Sequence, residues 1–353
     1  MKRINVFIGK NAQGKTNFIE AIYLLGALRS FRGSKKEDII MKGKDSSTIV
    51  AEIGKDGLTK DLELNLSKDK KNIRVNHHTV SHMEDYYRDY RVVTFTPDDT
   101  MLIKGLPEER RNFLNRGIVT YNPIYYRVYR NFSKALDSKK MLLKNDRVQK
   151  NDLRLWNKEL AKYSAPIYIE RESFINALNE RIAPIYEKIS HKKDSLCLTY
   201  IPSSGLIDVS LDIKSETFQD DLENLLNGRL DEEIFSRHCL ISPTRDDIAF
   251  SLKDLSAKNY ASQGEIKTII LALKIAHLEH VYSVTGEYPV FLLDDISSEL
   301  DETRRSFLMK YLQEKNIQIF LTTTKFDNYL QDMNSNDYSL YKVEEGKIIH
   351  YVS

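Results

Sequence analysis

The 353-residue chain has little cysteine and lacks any long run of apolar residues. Its two cysteines, Cys197 and Cys239, lie far apart and match no metal-binding spacing, so we expect buried thiols in a reducing compartment. His77, His78 and His82 have no cysteine or carboxylate at ligand spacing and are predicted to be exposed turn residues. No apolar run reaches the roughly 20 residues that span a membrane, and the N-terminus lacks the apolar segment of a signal peptide. We therefore expect a cytoplasmic protein without membrane contact.

The chain also lacks a strong charge of either sign. Its 53 lysines and arginines against 51 acidic residues give a net charge of +2, and this average says nothing about partners because local patches cancel in it. The hydrophobic share of 41% and the charged share of 29% are ordinary for a soluble protein. The length allows two domains, or one domain with a large insertion.

Glycine is nearly absent from residues 107–188, where Gly117 is the only one. Apolar residues recur there at helical spacing among charged ones, as at Leu153, Trp156 and Leu160, which predicts long helices that form an arm or second lobe. The tyrosines at positions 121, 125, 126 and 129 are predicted to pack in the protein rather than to stack on bases.

Strand patterns flank this helical stretch. Residues 47–75 hold three apolar runs separated by turns and predict an antiparallel meander. Further strands are predicted at residues 91–95, 196–200 and 248–252. The final third of the chain alternates helix and strand, as expected for the second half of a parallel sheet.

Residues 9–16 read Gly-Lys-Asn-Ala-Gln-Gly-Lys-Thr and fit the pattern of a phosphate-binding P-loop. They follow an apolar strand at residues 4–8 and open an apolar helix, which is the setting that this motif requires. Loop N–H groups and the helix N-terminus can hold phosphates, with Lys15 as a catalytic cation at the β- and γ-phosphates and Thr16 as a ligand of Mg²⁺. The chain is therefore predicted to bind a nucleoside triphosphate. The residues predicted to hold it are Gly9, Asn11, Ala12, Gln13, Gly14, Lys15, Thr16 and Asn17.

Residues 289–295 form an apolar run that ends in Asp294 and Asp295. A P-loop protein needs such a strand beside the P-loop strand, with an aspartate at its end to hold Mg²⁺. Asp294 is predicted to be that metal ligand, together with Thr16. Asp295 is predicted to be the catalytic residue that orients or deprotonates the attacking water.

Residues 262–265 read Ser-Gln-Gly-Glu and open an apolar helix, which makes them either an anion site or a simple helix cap. A Ser-Glu-Leu-Asp segment at residues 298–301 follows the Asp-Asp strand. This order of motifs resembles the ABC-type ATPase heads of the SMC proteins and their DNA-break-repair relatives, in which the Ser-x-Gly motif of one subunit caps the γ-phosphate bound by the other. The resemblance adds these residues to the nucleotide site: Ser262, Gln263, Gly264, Glu265 and Asp301.

Further segments resemble the RecF family of bacterial recombination mediators. The P-loop helix continues into Arg-Ser-Phe-Arg at residues 29–32. Other matches are Phe-Thr-Pro-Asp-Asp at 95–99, Gly-Leu-Pro-Glu-Glu-Arg-Arg-Asn-Phe-Leu at 105–114 and Pro-Thr-Arg-Asp-Asp at 243–247. The matching segments extend over nearly the whole chain.

This resemblance implies an α/β fold: a P-loop ABC-type ATPase head, with a mixed sheet and flanking helices, plus a helical second lobe. The head would comprise residues 1–100 and 285–353, and the lobe residues 101–284. It also implies a weak ATPase that binds duplex or gapped DNA without sequence preference. ATP would close a homodimer on the DNA, and slow hydrolysis would reopen it. The implied partners are the mediators RecO and RecR, with which it would help load the RecA recombinase in recombinational repair and replication restart.

The chain departs from the related patterns in three places. Where other ABC ATPases place a histidine, residues 321–324 read Leu-Thr-Thr-Thr, so sensing of the γ-phosphate would fall to Thr323 as a catalytic residue. Asp295 replaces the usual glutamate, and its shorter side chain predicts slow hydrolysis. Thr244 stands where the family usually has a histidine before Arg-Asp-Asp.

Relatives in this family carry a segment before the P-loop strand that forms early strands and reaches the adenine. Only Met1, Lys2 and Arg3 precede Ile4 here, so the resemblance predicts a chain that lacks this segment. Part of its apolar surface would be uncovered. It would hold nucleotide through the phosphates, with little discrimination between ATP and GTP.

Two other functions stay open at this point: a P-loop phosphotransferase acting on a small metabolite, and a DNA scaffold whose ATP site only binds. The long helical insertion does not suit the first, and Asp295 disfavours the second. For DNA contact two basic clusters are candidates, although a solvated charged face explains each equally well. The clusters are Arg29, Arg32, Lys35 and Lys36, and Lys139, Lys140, Lys144, Arg147 and Lys150.

Overall fold

The structure, a computed structural model, describes residues 2–55, 57–203, 206, 211–324 and 338–351. The chain divides into two compact units, one of residues 1–100 with 267–353 and the other of residues 101–266. The second unit begins where the sequence placed the start of the helical lobe, and it ends earlier than residue 284, inside a helix.

Apolar runs and alternating patterns form strands. In chain order these are β1 (Ile4–Ile8), β2 (Ser46–Lys55), β3 (Leu58–Ser67), β4 (Lys71–Val75), β5 (His78–Thr79), β6 (Val92–Phe95), β7 (Leu196–Ile201), β8 (Asp247–Leu252), β9 (Leu255–Ser256), β10 (Val290–Leu293), β11 (Ile319–Thr323), β12 (Tyr338–Glu344) and β13 (Lys347–Tyr351). The strands predicted at residues 91–95, 196–200 and 248–252 are confirmed as β6, β7 and β8.

The strands form three sheets. In the first unit a six-stranded sheet has the order β13-β12-β1-β11-β10-β6, and its neighbours are parallel except for the antiparallel pair β12 and β13. The antiparallel sheet β2-β3-β4-β5 confirms the predicted meander. In the second unit β7, β8 and β9 form an antiparallel sheet. The mixed sheet with flanking helices confirms the predicted α/β class.

The sequence analysis expected the strand that ends in the two aspartates to be the neighbour of the P-loop strand. The structure shows that these two strands are not adjacent. β11 lies between β1 and β10 and pairs in parallel with both. The expectation was wrong because a metal-binding aspartate needs only to end at the same sheet edge as the P-loop, and parallel strands on either side of a third strand do so. The end of β11 therefore becomes part of the site.

The helices are, in chain order, α1 (Lys15–Ala27), α2 (Lys36–Ile39), α3 (Met83–Asp89), α4 (Met101–Lys104), α5 (Pro107–Tyr121), α6 (Ile124–Leu143), α7 (Lys150–Ser190), α8 (Phe218–Gly228), α9 (Leu230–Ser236), α10 (Ala257–Tyr260), α11 (Gln263–Thr285), α12 (Ile296–Glu299) and α13 (Glu302–Glu314). With 15, 20 and 41 residues, α5, α6 and α7 confirm the long helices predicted for the glycine-poor stretch. In the part of the chain that is described, no helix has both the length and the apolar character needed to cross a membrane.

An apolar cluster joins α1 to the six-stranded sheet. Phe7 of β1 is fully buried in this cluster together with Ile19 of α1 and Leu292 of β10. The ring of Phe7 stacks on Tyr341 of β12, with 4.9 Å between the ring centroids. Fully burying such a side chain contributes about 1.5–3 kcal/mol, so the strand that leads into the P-loop is firmly held.

Buried charges hold the second unit together. Arg171 and Asp246 are fully buried and form an ion pair, and the hydroxyl of Tyr200 also donates to Asp246. Arg110 donates to both carboxylate oxygens of Asp247, at 2.5 and 3.0 Å. The two aspartates of the Arg-Asp-Asp segment are therefore the counter-charges of Arg171 and Arg110. This structural role explains why aspartates stand at these positions, and no ligand is needed to explain them.

Lys139 cannot contact DNA, contrary to its place in the second basic cluster. It is fully buried, and its Nζ lies 2.5 Å from Oε2 of the equally buried Glu233 in α9. The other carboxylate oxygen of Glu233 accepts from the N–H of Leu240 at 2.9 Å. The sequence-based prediction was wrong here because the partner lies far along the chain and the periodicity of α6 does not reveal it.

The two cysteines differ in exposure. Cys239 is buried, as predicted, whereas Cys197 is exposed. Successive residues of a strand face opposite sides, and the neighbours of Cys197, Leu196 and Leu198, take the buried side of β7. Burial raises the pKa of the Cys239 thiol to about 11, which keeps it protonated and unreactive.

Aromatic packing at the end of α5 and in α6 agrees with the sequence-based expectation. Tyr125 is 3% exposed, and its ring lies 6.1 Å from that of Tyr129. Tyr121 packs against Phe174 of α7, with 5.6 Å between the ring centroids. The three histidines at positions 77, 78 and 82 are exposed, as predicted.

We expect Lys139→Met to lower the free energy of unfolding by about 3–5 kcal/mol, because it leaves the Glu233 carboxylate buried without a counter-charge. Urea denaturation followed by circular dichroism measures the change. Lys140→Met is the matched control, since Lys140 is exposed and its replacement should change stability by less than about 0.5 kcal/mol. Equal stabilities of the two variants would contradict the buried ion pair.

Candidate functional site

Three parallel strands end at one edge of the six-stranded sheet, beside a cavity of about 340 Å³. β1 leads into the P-loop, β10 ends just before Asp294, and β11 ends at Thr323. The carboxyl ends of parallel strands are where α/β proteins bind ligands, and the volume is in the range of small-molecule pockets. The residues lining the cavity are Asn11, Ala12, Gly14, Lys15, Thr16, Asn17, Arg32, Asp294, Asp295 and Thr322.

The hairpin of β12 and β13 approaches the P-loop so closely that glycines are required. A Cβ atom on Gly9 would lie 2.4 Å from the carbonyl oxygen of Val343. Gly14 has a φ of 97°, a conformation that favours glycine, and a Cβ atom there would lie 3.4 Å from Cα of Gly346. The P-loop glycines thus serve backbone packing as well as the approach of phosphate.

Gln13, which was predicted to hold nucleotide, is bound to the turn of this hairpin. Its carbonyl oxygen accepts from the N–H of Gly346 at 3.0 Å, and its Oε1 accepts from the N–H of Glu345 at 2.7 Å. Gln13 and Gly9 are not among the described residues that line the cavity. Both act on the shape of the loop.

Lys15 begins α1 and is 7% exposed. Its Nζ donates to the carbonyl oxygens of Gly9 and Lys10, at 2.8 and 2.9 Å. Burial lowers the pKa of Lys15, and the nearby carboxylates of Asp295 and Asp294 act in the opposite direction. The ammonium group is therefore held inside the loop, where phosphate oxygens could replace the carbonyls as acceptors.

Asp294 is the centre of the hydrogen bonds at the sheet edge. Its side chain is buried, and Oδ1 accepts from Oγ1 of Thr322 at 2.6 Å and from Oγ1 of Thr16 at 3.1 Å. Burial raises the pKa of Asp294, while these two hydrogen bonds and the charge of Arg32 oppose the rise. One carboxylate oxygen thus joins the ends of β10 and β11 to the start of α1.

The oxygens of Thr16 and Asp294 fit Mg²⁺. This ion prefers oxygen ligands about 2.0–2.1 Å away in octahedral geometry, which places adjacent ligands about 3 Å apart. The two oxygens are 3.1 Å apart. No group of three or more His, Cys, Asp or Glu side chains suited to a metal occurs in the described part of the chain, so an ion at these two oxygens would take further ligands from elsewhere, such as phosphate oxygens and waters.

Asp295 lies in the left-handed region with a φ of 52°, which is uncommon for a residue other than glycine. Its N–H donates to Oγ1 of Thr322 at 2.8 Å, and Ser298 donates to its Oδ2. The other oxygen, Oδ1, is buried and has no hydrogen-bond partner among the described residues. A buried carboxylate oxygen with free lone pairs calls for an explanation, and it is suited to accept a proton from water.

Thr322 is a site residue that the sequence analysis missed. Its hydroxyl donates to Asp294, accepts from the Asp295 N–H and lines the cavity. Thr323, the predicted sensor, is fully buried and is not among the described lining residues. Neighbouring strand residues face opposite sides, so only one of them can face the cavity, and consecutive threonines carry no signal of which one.

Arg32 also lines the cavity, although the sequence analysis placed it in a basic cluster for DNA contact. Its Nη1 donates to Oδ1 of Asn17 at 3.1 Å and lies 3.5 Å from Oε2 of Glu20. Ser30 donates to the other carboxylate oxygen of Glu20. These contacts fix the segment after α1 so that the guanidinium charge faces the P-loop.

Residues 262–265 lie in the second unit and form a capping box at the start of α11. The hydroxyl and the N–H of Ser262 donate to Oε2 of Glu265 at 2.8 and 2.9 Å, and the Glu265 N–H donates back to Oγ of Ser262 at 3.3 Å. The bonds from Ser262 lower the pKa of Glu265, and Lys253, 3.5 Å away, adds to this. Ser262 and Gln263 are exposed.

Asp301 caps α13. Its Oδ1 accepts from the N–H of Arg304 at 3.0 Å, and its carboxylate also pairs with the Arg304 guanidinium. Such a cap is a sufficient reason for an aspartate at this position. The structure thus groups the P-loop with Asp294 and Asp295, whereas Asp301 is not among the described residues that line the cavity.

Comparison with known proteins agrees with this geometry. Residues 1–349 match the profile of the RecF/RecN/SMC N-terminal domain family. The DNA replication and repair protein RecF of Geotalea daltonii is 34% identical over 350 residues, which cover 99% of this chain and 94% of that protein. The solved structure of the recombination mediator protein RecF with ATP, from the RecFOR pathway, has a TM-score of 0.88 and 28% identity, covering 99% of this chain and 92% of that chain. An SMC head bound to the C-terminal winged-helix domain of ScpA shares the fold, with a TM-score of 0.52 and 14% identity, covering 99% of this chain and 90% of that one.

Gly9→Ala should lower the free energy of unfolding by about 1–3 kcal/mol and abolish binding of a nucleoside triphosphate, because the added Cβ forces the P-loop away from Val343. Thermal denaturation and calorimetric titration measure the two effects. Gly54→Ala is the control, since no atom lies within 4 Å of a Cβ at that position. Unchanged triphosphate affinity of Gly9→Ala would contradict the need for this close approach.

Proposed function

The chain belongs to the RecF family of DNA replication and repair proteins, and on this basis we propose that it is an ATP-dependent DNA-binding protein of recombinational repair and replication restart. The observation that carries the proposal is the pair of hydrogen bonds from Thr16 and Thr322 to one oxygen of Asp294, beside the P-loop cavity. This arrangement suits a triphosphate with a divalent cation. The solved relative that contains ATP supports ATP as the nucleotide.

The P-loop holds the phosphates of ATP in this proposal. Loop N–H groups and the N-terminus of α1 face the phosphates. Lys15 exchanges its carbonyl acceptors for β- and γ-phosphate oxygens, and Arg32 adds a second positive charge at the same cavity. Gln13 keeps the loop in shape through the β12–β13 turn.

Thr16 and Asp294 would hold Mg²⁺, which neutralises charge on the β- and γ-phosphates. Oδ1 of Asp295 accepts a proton from the attacking water, and Thr322 positions both carboxylates through its hydroxyl. The sensing role that the sequence analysis gave to Thr323 passes to Thr322. Aspartate reaches less far than glutamate, which supports a weak ATPase.

We further infer that ATP closes a homodimer. The first unit acts as the ATPase lobe, and the second unit presents residues 262–265 to the nucleotide of the other copy. Ser262 is exposed and its hydroxyl already donates to a carboxylate, so a γ-phosphate can take the place of Glu265 as acceptor, with Gly264 allowing close approach. Loss of the γ-phosphate by hydrolysis then opens the dimer.

The partners in this proposal are DNA and the mediators RecO and RecR. The solved relative is described as part of the RecFOR pathway, and the curated relative as a DNA replication and repair protein. The protein would bind duplex or gapped DNA through phosphate contacts, without sequence preference. It would help load RecA in the cytoplasm, where bacterial DNA is repaired.

ATP should convert the parental protein from monomer to dimer, and ADP should not, because only a γ-phosphate can reach Ser262 of the second copy. Ser262→Arg should keep ATP binding in the monomer and lose dimerisation. Sedimentation velocity with ATP, with ADP and without nucleotide measures this. The control is Ser173→Arg on an exposed position of α7, which should dimerise like the parent. A Ser262→Arg protein that dimerises with ATP would show that the motif does not face the other copy.

A further inference from the structure

Helix α6 has one face buried and one face exposed. Phe132, Leu136 and Leu143 on the buried face are at most 3% exposed. The exposed face carries Arg130, Lys134 and Lys140, and the exposed Lys144 follows directly after the helix; we name these four cations the basic face. With a rise of 1.5 Å and a turn of about 100° per residue, these four residues extend over about 21 Å within an arc of about 120°. They therefore form a stripe along one side of the helix, which also carries the exposed Asp137 and Met141.

The cations of the basic face have no ion-pair partner within the described ranges of the chain. Two other exposed cations of the second unit do have one: Lys150 lies 2.5 Å from Asp231, and Arg237 lies 2.6 Å from Asp146. Asp137 is the only acidic residue of α6 and is also exposed. Four cations and one carboxylate leave three uncompensated positive charges, whose local positive potential attracts a polyanion.

We propose that the basic face of α6 binds the phosphate backbone of duplex DNA. This inference rests on the proposed function, which includes DNA as a partner, and it names the surface. Duplex DNA carries one phosphate per about 1.7 Å of its axis with both strands counted, so a segment of about 21 Å holds about a dozen phosphates, and those on one side of it face the stripe. Each cation can then reach a phosphate of its own, and such contacts fix position without reading sequence.

The buried ion pair next to this face fixes which side of α6 points to solvent. Lys139 is locked against Glu233, and its chain neighbour Lys140 points to solvent. The helix therefore cannot turn its cations away from a ligand. A preformed array of charges loses less freedom on binding than a flexible basic segment does.

The test measures the salt dependence of DNA affinity. Fluorescence anisotropy of a labelled duplex, with ATP and Mg²⁺ present, is followed between about 50 and 200 mM salt, where each neutralised phosphate contributes about 0.9 to the slope of log affinity against log salt. Removing all four charges (Arg130→Gln, Lys134→Gln, Lys140→Gln, Lys144→Gln) should lower the slope by about 3–4 and weaken binding at least tenfold. Asp137→Asn should instead tighten binding severalfold, a gain that misfolding cannot imitate.

The matched control removes four cations that are each paired with a carboxylate: Lys60→Gln, Arg88→Gln, Lys150→Gln and Lys162→Gln. This variant should lose less than about 1 from the slope. If the parent binds DNA and the basic-face variant keeps the parental slope, this inference alone is overturned. The basic face would then contact an acidic protein or be only a solvated surface. A parental protein that binds no DNA overturns the proposed function and this inference together.

Discussion

The carboxylate of Asp294 governs the geometry of the site, because one of its oxygens accepts hydrogen bonds from hydroxyls on two different elements. Thr16 stands at the start of α1 and Thr322 on β11, so the P-loop and two strand ends are fixed relative to one another. The carboxylate is buried, and a buried carboxylate is costly unless hydrogen-bonded or bound to a cation. In the proposed function, the same oxygen that accepts these hydrogen bonds would also hold Mg²⁺.

The second constraint is the close approach of the β12–β13 hairpin to the P-loop. Gly9 has no room for a Cβ beside Val343, and Gln13 is tied to the hairpin turn by two hydrogen bonds. The phosphate-binding loop is thus shaped from outside by the last two described strands. Preformed N–H groups need little reorganisation when phosphates bind, which links the fold of the C-terminal hairpin to nucleotide affinity.

Motifs of fixed spacing made much of the site predictable, since the P-loop and the Asp-Asp strand are local patterns that set their own geometry. Contacts between distant segments were not predictable. Thr322 faces the cavity because of strand register, which consecutive threonines conceal, and the burial of Lys139 depends on Glu233, far along the chain. Arg32 was a candidate for DNA contact because its charge is visible in the sequence, whereas the direction in which it points depends on Glu20.

ATP turnover by Thr322→Val, compared with Thr323→Val, tests the central claim most directly. Valine keeps the shape of threonine and removes the hydroxyl, and at position 322 this hydroxyl orients both Asp294 and Asp295. Loss of such an orienting group typically costs about 10–100-fold in activity or metal affinity. We therefore expect kcat to fall by that factor in Thr322→Val and to stay near the parental value in Thr323→Val. The comparison is made between variants whose melting temperatures equal that of the parent. A larger loss in Thr323→Val, or no loss in Thr322→Val, would contradict the account.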